Sequence, residues 1–86
     1  MIVKDYILQS PQGLHARPAT VLVRLARGYR ARVILRKGAQ EVDLTSVLQV
    51  LSLAPQHGDT LTLSIEGPEE AQAAGALDNF FNTLHA

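Results

Sequence analysis

The stretch GLHARP at residues 13–18 places a histidine, His15, at the mouth of a predicted helix, with Arg17 two residues on and Pro18 closing the first turn. The first amides of a helix have no intrahelical partner, and the aligned peptide dipoles put about half a positive charge there. An anion at that end is stabilised and a cation disfavoured, so the imidazole is expected in its neutral, nucleophilic form. Arg17 adds a permanent charge with forked donors suited to phosphate oxygens. The three features together describe a place where a phosphoryl group attaches and leaves again. The dipole contributes about 0.3–1 kcal/mol, up to about 2 in a partly buried geometry, which shifts a transfer equilibrium without trapping the group. The ordinary reading of such a histidine is a partly exposed helix cap.

The helix that must position His15 is legible from Ala16 onward. Ala19, Leu22, Val23 and Ala26 fall at helical spacing and form one apolar stripe, and Gly28 follows as a stop. A residue before proline is biased away from helical geometry, however. On propensity alone the helix starts at Pro18 with Arg17 as its cap, so two registers stand open.

Around this helix the chain alternates strand and helix patterns. Residues 3–8 read as a strand of imperfect alternation, 10–13 as a loop, 31–38 as a second strand and 41–44 as a short third. Residues 45–51 are a brief helix and 55–59 a loop. The strand at 60–66 is the cleanest, with Leu61, Leu63 and Ile65 on one side. The last helix begins around Gly67-Pro68-Glu69-Glu70, with proline expected in its first turn and the acids at its positive end. Its stripe is Ala74, Leu77, Phe81 and Leu84, and Gly75 weakens it by about 1 kcal/mol relative to alanine. The order β-α-β-β-α-β-α gives an α/β (α+β) open-faced sandwich, four antiparallel strands with three helices on one face, expected as one domain over residues 1–86.

Composition bounds the function. The 86 residues are 47% hydrophobic and 19% charged, a globular balance. Eight basic and eight acidic residues cancel, which argues against direct nucleic-acid binding. No apolar run approaches a membrane span, no signal-peptide core is present, and there are no cysteines. The expectation is a cytoplasmic protein with no cofactor.

Several other residues are candidates. Ser46 with Gln49 has the S-x-x-Q form of a capping box, worth about 1 kcal/mol. Val47, Leu48, Val50 and Leu51 surround a helix too short to bury them all. Val50 and Leu51 are assigned to the core, Val47 and Leu48 to an exposed patch. Arg17, Arg24 and Arg27 lie within about 80° of one another on the first helix and form a basic edge suited to an acidic partner. His57 and His85 share no ligand spacing with His15 or each other, so no metal site is expected.

GLHARPAT, Gly28, the segment TSVLQVLSL and GPEEAQAA together resemble HPr, the histidine-containing phosphocarrier family of the bacterial phosphotransferase system, over essentially the whole chain. The resemblance implies that His15 accepts a phosphoryl group on Nδ1 from phosphoenolpyruvate-dependent enzyme I and passes it to sugar-specific IIA domains. It implies contacts to the phosphate from Arg17 and from the amides of Ala16 and Arg17, and a helix that begins at Ala16. It makes Arg24, Arg27, Val47 and Leu48 docking residues. It also matches Ser46 to a serine that a dedicated kinase phosphorylates in many Gram-positive bacteria, a modification read in catabolite control. Thr45, Gln49 and Ala54-Pro55 depart from the forms expected around such a kinase site. On this reading the chain is a carrier acted on by enzymes, and it has no Walker-type loop of its own. The alternatives are a regulatory paralogue that binds a transcription factor or sensor under control of Ser46, and a small-ligand-binding module.

Overall fold

The computed structural model describes residues 1–84. The elements are β1 (Ile2–Ile7), α1 (Ala16–Arg27), β2 (Arg32–Lys37), β3 (Gln40–Asp43), α2 (Val47–Ser52), β4 (Thr60–Glu66) and α3 (Glu70–Thr83). The strands form one antiparallel sheet in the order β1-β4-β2-β3. The expected open-faced architecture is the observed one.

β4 is central because its alternation is intact: Leu61, Leu63 and Ile65 are all buried. Pairing transmits that face to its neighbours. Val33 and Leu35 of β2 lie opposite Ile65 and Leu63 and are buried with them. In β1 the residues opposite are Ile2, Lys4 and Tyr6, so Val3 and Ile7 fall on the open face, 57% and 60% exposed. The imperfect alternation of β1 therefore reflects an edge strand whose core-side lysine reaches α3, where Lys4 Nζ meets Asp78 at 3.4 Å. Tyr6 stacks on Phe81 at 4.6 Å and donates its hydroxyl to Asp78 at 2.8 Å.

Against the sheet, α1 buries Ala19, Leu22, Val23 and Ala26, the stripe expected of it. α3 buries Ala73, Ala74, Leu77, Phe80 and Phe81. Leu84 lies past its last turn and is only half-buried, so the stripe ends sooner than its spacing suggests. Its start also differs from expectation. Pro68 precedes the helix, whose cap is Glu69, because residues 67–69 are pinned to the turn after α1. Glu69 donates its amide to the Arg30 carbonyl at 3.0 Å and accepts the Arg30 amide on its carboxylate at 2.7 Å. Gly75 is exposed, with open space where a β-carbon would go. Among the described residues no helix is long and apolar enough to cross a membrane.

Candidate functional site

The register of α1 settles where His15 sits. The helix runs from Ala16, with His15 as its N-cap in an extended backbone conformation, φ −89° and ψ −174°. The first intrahelical bond runs from the Ala19 amide to the His15 carbonyl at 2.9 Å. Arg17 is thus helical although it precedes proline. Pro18 stands in the first turn, where its missing N–H would have had no partner. Two donors are left in the first turn, the amides of Ala16 and Arg17.

The His15 side chain makes no capping hydrogen bond and is half-buried. A histidine serving as an ordinary cap would turn its ring back to those amides. Here the ring, Ala16 and Arg17 line one open depression of about 860 Å³. Its other walls are residues that sequence reasoning did not assign to the site: Pro11 and Gln12 of the preceding loop, Pro18 and Val21 of α1, Phe80 of α3 and Leu84 just past that helix. Val21 had a signal, since it lies off the buried stripe and is 45% exposed. Phe80 and Leu84 had none, because only the packing of α3 beside α1 brings them to the histidine.

The docking candidates separate into two groups. Arg24 and Arg27 are exposed and, with Val47, line a second depression between α1 and α2. Leu48 lines neither depression and is 79% exposed. The expected division of α2 is corrected in part: Val50 is buried, but Val47 and Leu51 are alike half-buried against the core. A six-residue helix laid on the sheet edge turns only one position fully inward, and its flanking positions share the rest. Ser46 caps α2 by accepting the Gln49 amide, at a long 3.4 Å. His57 places Nδ1 3.2 Å from the Gln9 carbonyl, and His85 lies outside the described residues. Among the described residues no three metal-ligating side chains gather.

His15, Ala16 and Arg17 thus meet at the head of α1 around one open depression. The sequence model of the family described as the PTS HPr component phosphorylation site matches residues 2–83. The chain belongs to the HPr family. It is 32% identical over 81 residues to the phosphocarrier protein HPr of Treponema pallidum, covering 94% of this chain and 92% of that one. It is 35% identical over 77 residues to the HPr of Cupriavidus necator, covering 90% and 86%. Its fold superposes on the crystal structure of HPr-C-His from Thermoanaerobacter tengcongensis with a TM-score of 0.91 at 29% identity, over 96% of this chain and 93% of the other. As an HPr it is a phosphocarrier of the phosphotransferase system.

Proposed function

We propose that this HPr receives a phosphoryl group on His15 Nδ1 from phosphorylated enzyme I and donates it to IIA domains, without catalysing a reaction of its own. The observation that carries this reading is the free ring of His15 at the head of α1, sharing a depression with Arg17 and Ala16. In the transfer, the lone pair of Nδ1 forms the new bond to phosphorus, the ring keeping its proton on Nε2, as the bond from phosphorus to the donor breaks and the donor retains that bonding pair. The amides of Ala16 and Arg17 and the Arg17 guanidinium receive its oxygens at the position where charge resides after transfer. These are individually modest interactions, which suits a group that must leave again.

Arg24 and Arg27, exposed along α1, give an acidic partner a basic edge beside the apolar rim of Val21, Phe80 and Leu84. Val47 and Leu48 extend that surface onto α2. Ser46 stands at the start of the same helix, and its capping bond accounts for a serine there without any modification. A phosphoryl group on it would bring about 1.5–2 negative charges to the docking edge and weaken a partner's approach. The kinase and a catabolite-control transcription factor are the further partners this would bring.

The test is incubation with enzyme I and phosphoenolpyruvate. One acid-labile, alkali-stable phosphate per chain is expected, absent from His15→Ala. A label that survives in His15→Ala contradicts the assignment.

A further inference from the structure

The segment between α2 and β4 is gripped by a single lysine from another element. Lys37, the last residue of β2, is half-buried. Its Nζ donates to the carbonyls of Leu53 and Ala54 at 3.0 Å each and pairs with Asp59 Oδ2 at 3.2 Å. An ammonium has three donors, and here three oxygens receive them. The two carbonyls belong to the C-cap of α2 and the residue after it, and the last turn of α2 carries no basic residue, so the negative end of that helix draws its cation from β2. Ala54 stands at φ +49°, the left-handed region that favours glycine, and is the only non-glycine there among the described residues. Asp59 Oδ2 also accepts the Gln56 amide at 2.8 Å. Lys37 thereby holds both ends of residues 53–59.

That segment is what the loop before His15 rests on. The Leu14 amide donates to the Pro55 carbonyl at 3.0 Å, and Leu14 itself is buried. Further back, Leu8 donates to the Asp59 carbonyl and accepts the Gly58 amide, each at 2.9 Å. The Leu14–Pro55 bond ties the chain one residue before His15 to residues 53–59.

We infer that Lys37, with Asp59, is a positioning residue for phosphoryl transfer: by clamping residues 53–59 it holds the Gly13–Leu14 step, and through it His15, in one geometry. This rests on the reading of His15 as the acceptor. The lysine touches neither ring nor phosphate and acts wholly through the backbone.

The test compares Lys37→Met, Lys37→Arg, Asp59→Asn and Lys37→Met combined with Ala54→Gly, by NMR of the unphosphorylated chain and by the rate of phosphoryl uptake from enzyme I. Lys37→Met is expected to shift the Leu14, Ala16 and Arg17 amide signals and the His15 ring signals. It should lower the maximal uptake rate about tenfold with the KM for the carrier unchanged. Lys37→Arg restores most of the rate, and Ala54→Gly, which suits the left-handed backbone, recovers part of the loss. Asp59→Asn leaves the lysine on its carbonyls and gives the same pattern at smaller amplitude. Wild-type rates and wild-type His15, Ala16 and Arg17 signals in both Lys37→Met and Asp59→Asn, with only a lower melting temperature, would overturn the inference. Should the wild-type chain take up no phosphate on His15, the proposed function fails, while the NMR signals still decide whether the clamp sets the loop.

Discussion

Gly13 and Pro55 approach so closely that a β-carbon on the glycine would collide with the Pro55 carbonyl oxygen. Gly13 also stands at φ +69°, where side chains are strained whatever the space. Gly13→Ala therefore has to move the 55–56 backbone and break the Leu14–Pro55 hydrogen bond. It is expected to cost more than about 2 kcal/mol in urea unfolding and to slow phosphoryl uptake together with it. A change below about 0.5 kcal/mol would show that the two loops are not in the contact described.

How much of this was readable beforehand varies with the kind of interaction. β4 and α1 were legible because each carries an unbroken period, of two in Thr60–Glu66 and of 3.6 in Ala16–Arg27. The head of α1 was not settled by spacing, since the Ala19–Leu22 stripe fits a start at Ala16 or at Pro18 alike, and the start observed at Ala16 is the one the family resemblance implied. His15, Ala16 and Arg17 are neighbours in sequence, so their juxtaposition was visible. Phe80 and Leu84 join them only through the docking of α3 beside α1. The grip of Lys37 on Leu53 and Ala54 depends on where β2 ends against α2, a distance that no local pattern encodes.

Arg17 is exposed and beside the ring, so its removal should act on chemistry and leave the fold alone. Arg17→Ala is expected to slow uptake onto His15 by about 10- to 100-fold, the scale of a charge-assisted hydrogen bond, with unfolding unchanged within about 0.5 kcal/mol. Arg17→Lys should recover only part, because an ammonium lacks the guanidinium's fork. Full activity in Arg17→Ala would remove the guanidinium from the phosphate site.

Ser46→Asp separates capping from docking. Aspartate caps a helix as well as serine and suits the dipole, so stability should change by no more than about 0.5 kcal/mol. The added charge lies at the start of the helix that carries Val47 and Leu48, and it should raise the KM of enzyme I for the carrier several-fold. An unchanged KM would place Ser46 outside the docked surface. Ser46→Ala, losing a capping bond of 3.4 Å, should cost only about 0.5 kcal/mol.

Acid should weaken the fold through two carboxylates. The hydroxyl of Tyr6, then the charge of Lys4, hold Asp78 below the usual carboxylate range. The Gln56 amide and then Lys37 do the same for Asp59. A carboxylate whose folded value is depressed stabilises above its unfolded value of about 4, and that contribution is lost as pH falls through the lower folded value. Asp78→Asn should therefore melt below wild type at pH 7, and the gap should narrow as the pH falls below about 4. A gap that persists undiminished in acid would mean the loss comes from packing around Tyr6 and Phe81 and not from charge.

The proposed transfer puts the phosphoryl group on His15 Nδ1, with the Ala16 and Arg17 amides turned to its oxygens. Nitrogen-15 and phosphorus-31 NMR of the phosphorylated chain tests it most directly. A phosphorus coupling to His15 Nδ1 is expected, with the largest amide shifts at Ala16 and Arg17. Coupling to Nε2 or to His57, or unmoved Ala16 and Arg17 amides beside a phosphorylated His15, would contradict it.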